Sequence, residues 1–402
     1  METRIIDLGT LPTGTVSFGN SISASGDVVV GSSTTVATTG TRAFRWQNGQ
    51  MVRLTGLDNN AVSVARGVSG DGSVIAGNTS VTGIFRAWRF ANGTYTQLGN
   101  LGHVTLYSQV FDMSADGASI VGESRRADGS YRAFLWKDGV MTNLGSLATY
   151  TGSIAYGIDP TGTYVTGYVF GSPSFSQQGF IWSYAAGMVA IGSPGGVNYT
   201  RGNAISTDGT VVGIGGFTGV SFGNAFSYKN GVFTDLGRLP GYTLSTATDI
   251  SGDGSVIVGY SYNTTDGQPF SSTTSASAFR YTGGVMTNIG DLGTYRTADD
   301  INSATFSGRS AGDDDPTLSS LAYTVSADGN SVAGSSQVRM PTGALEQHAF
   351  LYKRIRIQLP YYDSNQKLVA QAKDNQKKFS DASSYTQFLK ARASGNMYRY
   401  RD

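Results

Sequence analysis

Hydrophobic residues across positions 5–353 fall in short runs of four to six, and nearly every run ends at Gly, Asn, Asp or Ser. Residues 64–99 show the pattern. Four β-like runs, Val64–Val68, Ser73–Ala76, Phe85–Phe90 and Thr94–Leu98, are rich in Val, Ile, Phe, Tyr, Trp and Thr. The first two are joined by Ser-Gly-Asp-Gly and the last two by Ala-Asn-Gly. Asp-Gly and Asn-Gly adopt positive φ at little cost, which suits tight hairpins. The segment therefore predicts a four-stranded antiparallel meander.

The unit recurs. Its turn glycines are Gly26, Gly72, Gly117, Gly162, Gly209, Gly254 and Gly329; successive ones lie 45 to 47 residues apart until a final gap of 75. The third run carries a small residue beside an aromatic: Ala43-Phe44, Ala87-Trp88, Ala133-Phe134, Gly179-Phe180, Ala225-Phe226, Ala278-Phe279 and Ala349-Phe350. The fourth ends in a Leu-Gly-type pair, from Leu98-Gly99 to Ile289-Gly290, with Leu54-Thr55-Gly56 as the departure. A meander cannot bury both faces alone, whereas radial stacking buries them and a closed ring hides the ends. Seven units of four strands predict an all-β, seven-bladed β-propeller. A linear β-solenoid wants shorter repeats and terminal caps, and neither is visible.

Closure is predicted from the termini. Ile5-Ile6-Asp7-Leu8-Gly9-Thr10-Leu11 matches the fourth run Phe233-Thr234-Asp235-Leu236-Gly237-Arg238-Leu239, so the chain starts one strand early. That strand would complete the last blade beside 349–353. Arg354–Leu359 alternates like a strand and competes for the same slot, which would give blade seven a fifth strand.

These repeats resemble the HAF-repeat family of propeller-like extracellular repeats. The name-giving triplet occurs literally at His348-Ala349-Phe350; elsewhere the His is replaced by Arg42, Arg86, Arg132, Gln178, Asn224 or Ser277. The resemblance covers residues 5–353. It implies the architecture and leans extracellular, and it carries no catalytic residues to transfer.

Composition narrows the chemistry. There is no cysteine and only two histidines, His103 and His348, which removes thiolate chemistry and most zinc or His-dependent catalysis. Glutamate occurs only at Glu2, Glu123 and Glu346, and the last two fall in blades three and seven, far apart in a ring. A glycosidase would need a close carboxylate pair. The net charge of +1 hides an asymmetry: residues 353–402 hold 11 Lys and Arg against 4 Asp, leaving 18 against 24 for the rest. No run of about 18 apolar residues or secretory h-region is visible. No membrane span, cofactor or metal is expected.

Strand order assigns the short Asp-Gly and Asn-Gly turns to one face. The other face receives the longer connections, 31–41, 78–84, 123–130, 168–178, 214–223, 260–277 and 335–347, with an insertion near 293–320. Variable connections on a rigid scaffold are where binding concentrates. Tyr107, Tyr150, Tyr199, Tyr242 and Tyr295 lie in the blade-to-blade connections there. They read either as a stacking ring for a glycan or protein partner or as wedges between blades. Asp313-Asp314-Asp315 reads as a Ca²⁺ candidate or a solvated acidic loop, and the Ser-x-Asp-Gly residues read as turn formers.

Residues 360–402 break the pattern, so the domains read as a propeller over 1–359 and a basic tail over 360–402. A helix is predicted near 365–378 and a second over 383–393. Leu368, Phe379, Tyr385, Phe388, Tyr398 and Tyr400 are the candidate anchors to other structural subunits; nucleic acid is the weaker alternative. The best-fitting function is a non-catalytic structural or adhesive propeller of a phage-tail-like virion or cell surface, binding a partner, receptor or glycan through its long-loop face. A carbohydrate-active enzyme, glycosidase or lyase, and an intracellular peptide-binding scaffold are the alternatives.

Overall fold

The computed structural model describes residues 2–35, 38–57, 62–171, 177–196, 199–217, 220–265, 273–293 and 318–355, together with 361–362 and 368–370. It contains seven four-stranded antiparallel sheets, the blades of a β-propeller. Blades one to six span 17–53, 62–97, 108–143, 152–190, 200–237 and 244–288. Blade seven combines Ser320–Val325, Ser331–Arg339 and Leu345–Ile355 with the N-terminal strand Glu2–Asp7 as its outer strand. The chain divides into two units, Thr3–Arg354 and Ile355–Asp402 with Met1–Glu2.

One device recurs in every blade. The first strand carries a β-bulge, with the extra residue at Asn20, Arg66, Phe111, Tyr156, Asn203, Thr248 and Tyr323. A bulge re-aims one side chain and sharpens the local twist. It also drives a first-strand carbonyl against the second strand, where only glycine fits. A Cβ on Gly122 would lie 1.8 Å from the Gln109 carbonyl oxygen and 3.0 Å from the Phe134 ring. Gly122 pairs across the sheet with Phe134, the aromatic of the Ala-Phe pair, which fills the space beside it. Phe44, Phe134, Phe180, Phe226 and Phe279 are fully buried.

The small residue before that aromatic has its own role. Its backbone N–H donates to a hydroxyl that opens the next blade: Ala43 to Ser63, Ala87 to Ser108, Ala133 to Ser153, Gly179 to Thr200, Ala225 to Ser245 and Ala278 to Ser320, all at 2.9–3.1 Å. The seventh bond runs from Ala349 to Ser17 at 2.7 Å, from the last blade to the first. The Ser17 hydroxyl then donates to the Gly9 carbonyl at 2.6 Å, as Ser108 does to Gly99 at 2.7 Å. The Leu-Gly pair is thus the acceptor of an inter-blade relay. Leu8 N–H donates to Ala349 O at 3.0 Å, and Leu98 N–H to Ala87 O at 3.0 Å in the same way. Leu8, Leu11, Ile22, Val29, Phe44, Trp46, Ala333, Ala349 and Leu351 form one buried cluster across the seam.

His348 reinforces this seam. Its Nδ1 lies 2.7 Å from Asp7 Oδ2 and its Nε2 lies 3.0 Å from Glu346 Oε2. Burial opposes the charge on His348, but the bonds and charges of Asp7 and Glu346 prevail and hold its pKa above the usual value. In blade five, Asn224 donates to Asp235 at 2.8 Å from the matching positions.

The Asp-Gly turns form as expected. In blade two, Ser69 Oγ donates to Asp71 Oδ1 at 2.6 Å while the Ser73 N–H donates to the same oxygen at 2.9 Å. The turns also join sideways: Ala24 N–H donates to Gly70 O, Gly70 to Ala115 O and Ala115 to Pro160 O. These Asp residues hold turns.

Three expectations change. The connections on the opposite face are largely hairpin strand rather than loop: Val28–Thr35 and Thr38–Gln47 take up most of 31–41, and Ser331–Arg339 takes up much of 335–347. Pairing continues because Ser and Thr support extended strands. Blade seven has four strands, since Arg354 and Ile355 end its third strand and leave the outer slot to Glu2–Asp7. The helix predicted from 365 is overturned at Leu368–Ala370, a strand paired with Tyr361–Tyr362. Tyr, Leu and Val extend readily, and pairing satisfies their backbone groups without a helix. Residues 371–378, the second predicted helix and Asp313–Asp315 lie outside the described residues.

Candidate functional site

The first strands surround a central channel, and the seven bulged residues project into it. Its wide end opens on the hairpin face as a cavity of about 670 Å³. Its narrow end, about 110 Å³, lies at the Asp-Gly turns.

The wide mouth combines rings, amides, hydroxyls and cations. Phe18, Phe111, Tyr156, Tyr260, Tyr262 and Tyr323 supply rings. Phe111 stacks on Tyr156 at 4.6 Å between centroids and 19° between planes, and Tyr156 stacks on Tyr168 at 5.6 Å. Burial raises the pKa of Tyr156, Tyr168, Tyr260 and Tyr262, and pushes Tyr199 and Tyr323 up to about 12, so all stay neutral hydroxyls near neutral pH. Asn20 and Asn203 donate through Nδ2 to the Ala65 and Ala247 carbonyls of the following blades, at 2.9 and 2.7 Å. Thr248 does the same to Ala322 O at 2.9 Å.

Two arginines line this mouth, Arg66 in blade two and Arg201 in blade five. The Arg201 guanidinium lies 4.6 Å from the Tyr168 ring centroid and 5.8 Å from that of Tyr199, and it donates to Gln177 Oε1. Arg66 differs. It is exposed to the channel, and among the described residues none offers it a carboxylate. The residues lining the mouth include no Asp, Glu or His among those described.

The narrow end carries the carboxylates. Asp112 accepts from the backbone N–H of Ile158 at 2.9 Å and of Met113 at 2.7 Å. Asp249 accepts from Val325 and Ile250, each at 2.8 Å. Each carboxyl thus fastens its blade to the next. Burial pushes Asp112 up to about 7, helped by the charge of Asp249, and pushes Asp249 up to about 6. Both folded values exceed the ordinary 3.8, so the folded state holds these protons more tightly than the unfolded chain. The stability they contribute is present below pH 4 and is lost as pH rises through 6 to 7. Replacing both by Asn should flatten that decline, by on the order of 6 kcal/mol between pH 4 and pH 8. Urea midpoints across this range check it; an unchanged slope would place the titration elsewhere.

Among the described residues, the four selected tyrosines do not form a ring. Tyr107 donates to Glu123 Oε1 at 2.8 Å and sits edge-on to Phe85 at 6.3 Å and Tyr131 at 5.3 Å, between blades two and three. Tyr150 packs on the cluster between blades three and four, and Tyr242 on that between blades five and six, with its hydroxyl 2.6 Å from Ser277 Oγ. These three are wedges. Tyr199 stands beside Arg201 next to the mouth. Tyr295 lies outside the described residues, as do Phe379, Tyr385, Phe388, Tyr398 and Tyr400, while Leu368 falls in the short strand already described. The mouth residues share no residue type, but they share a position: each bulged residue precedes its turn glycine by six positions, as Arg66 precedes Gly72 and Phe111 precedes Gly117.

No protein-family model matches the chain, and no curated protein matches it. Several solved structures are similar to it at low identity. A putative TolB from Agrobacterium tumefaciens is 13% identical with a TM-score of 0.45, over 88% of this chain and 99% of that one. A GH74 xyloglucanase from Xanthomonas campestris is 12% identical with a TM-score of 0.46, over 86% and 55%. Prolyl oligopeptidase B from Galerina marginata is 10% identical with a TM-score of 0.49, over 88% and 54%. Among the described residues no helix is long and apolar enough to cross a membrane. The chain is a seven-bladed β-propeller with a C-terminal extension.

Proposed function

We propose that this propeller is a non-catalytic binding module of an HAF-repeat type, taking its ligand at the wide mouth on the hairpin face. The observation that carries the reading is the lining of that mouth: aromatic rings, amides, hydroxyls and two arginines, with the lining carboxylates, Asp112 and Asp249, at the opposite end. A hydrolase of glycosidic bonds wants a carboxylate pair beside its substrate, and Asp112 and Asp249 instead spend their oxygens on backbone N–H groups. Neutral tyrosines and a rigid ring of strands suit recognition. The basic stretch 360–402 is the segment that would attach the module to other subunits of a virion or cell-surface assembly.

Val64 faces the mouth. Val64→Trp should fill it while leaving the blades folded. Binding to immobilised glycans and surface proteins should fall at least about tenfold in this variant, with no turnover of any bound glycan by the native protein. Binding that survives a filled mouth, or measurable cleavage, would sink the reading.

A further inference from the structure

The bulge ring is chemically uneven. Asn20 and Asn203 use their amide donors, and Thr248 its hydroxyl, on the carbonyl that the next blade's bulge leaves open. Phe111 and Tyr156 use their faces on each other. Arg66 alone brings a full charge, and no described residue neutralises it. A guanidinium in a cavity lined by no described carboxylate is a site for an anion with two coplanar oxygens. Arg201 adds positive potential from blade five, held against Tyr168 as a platform.

The rest of the lining narrows the anion's carrier. Asn20 and Asn203 keep their side-chain carbonyls as acceptors, Ser32, Thr246 and Thr248 add hydroxyls, and the tyrosines add rings with neutral O–H groups. Aliphatic contact is confined to Val64 and Ile214. Rings beside hydroxyl and amide groups match a pyranose, with its apolar C–H face and hydroxyl rim. The far end of the channel holds only about 110 Å³, so a chain enters the wide mouth end first. A polyphosphate would bring several negative charges to a mouth lined by two arginines, within residues 1–352 that hold 24 acidic against 18 basic side chains, whereas a single carboxylate needs one guanidinium.

We propose that the wide mouth binds the acidic sugar at the end of a saccharide chain, with its carboxylate paired to Arg66 and its ring face on the channel aromatics. This rests on the mouth being the binding end.

The test is calorimetric titration of the full chain with a glucuronic-acid-terminated disaccharide, its neutral glucose-terminated counterpart and a sulfated glucose-terminated counterpart. The acidic disaccharide should bind at least about tenfold more tightly than the neutral one. Arg66→Leu should erase that difference and leave the thermal midpoint within a few degrees, and Arg66→Lys should restore part of it. Equal affinity for acidic and neutral sugars, an unaltered preference in Arg66→Leu, preference for the sulfate over the carboxylate, or no binding of either sugar would each overturn the proposal. A different ligand that binds the native protein but not Val64→Trp would overturn this inference while leaving the binding role of the mouth intact.

Discussion

Deleting residues 1–9 is expected to unfold or open the propeller under conditions where the intact chain is fully folded. The deletion removes the outer strand of blade seven, buried Ile5 and Leu8, and the Leu8 bond to Ala349. Two buried aliphatic side chains and a strand's worth of hydrogen bonds amount to at least about 5 kcal/mol, comparable to the whole stability of a typical domain. The loss also exposes the apolar seam cluster and an unpaired strand edge, so aggregation should accompany it. Asp7→Asn is the milder form. It weakens the bond to His348 without removing the strand and should cost about 1–2 kcal/mol. Because the folded pKa of His348 is raised, that contribution is present below pH 6.5 and lost as pH climbs through the folded value. The difference between native and Asp7→Asn should therefore shrink above neutral pH. Urea midpoints at pH 6 and pH 9 read both effects; a deletion variant with an unchanged midpoint would contradict the closure.

The second large effect is expected at the glycine opposite the bulge. Gly122→Ala places a methyl 1.8 Å from a backbone oxygen, and no rotamer change relieves it. The strands must separate or the bulge must unwind, at about 3 kcal/mol or more. Gly129→Ala makes the control: its φ is +83° and nothing lies within 4 Å of the added carbon, so only backbone strain opposes it, at about 1 kcal/mol. Phe134→Ala should cost about 3–5 kcal/mol through the cavity it leaves. If Gly122→Ala unfolds at the same urea concentration as the control, the coupling of bulge, glycine and aromatic is wrong.

Turns and pairs that demand one residue type were legible. Gly72 sits at φ +75°, where other residues are strained, and Ala133 lets its N–H reach Ser153, so both positions repeat in kind. The N-terminal strand was legible for the same reason, since Asp7-Leu8-Gly9 repeats Asp235-Leu236-Gly237. The channel was not. A bulge demands a position rather than a side chain, so Asn20, Arg66, Phe111 and Tyr156 share nothing that a search by residue type would find. Tyr107, Tyr150 and Tyr242 were conspicuous because similar packing between blades selects similar residues. The hairpins that carry the wide face were hidden by Ser, Thr and Gly, which read as loop although they extend readily when a neighbouring strand is present. The helix from 365 rests on a Ser364 cap and apolar spacing, both local signals, and the Tyr361–Tyr362 pairing of Leu368–Ala370 supplies a partner that local signals do not show.

The central claim is a ring of seven equivalent blades shut by the first strand. Native-state hydrogen exchange at the Leu8 amide tests it most directly, because Leu98 and Leu144 make the same bond inside uninterrupted blades, to Ala87 and Ala133. Protection of Leu8 within about tenfold of those two amides is predicted. Exchange of Leu8 at the rate of an unstructured peptide, with Leu98 and Leu144 protected, would mean that the first strand does not close the ring.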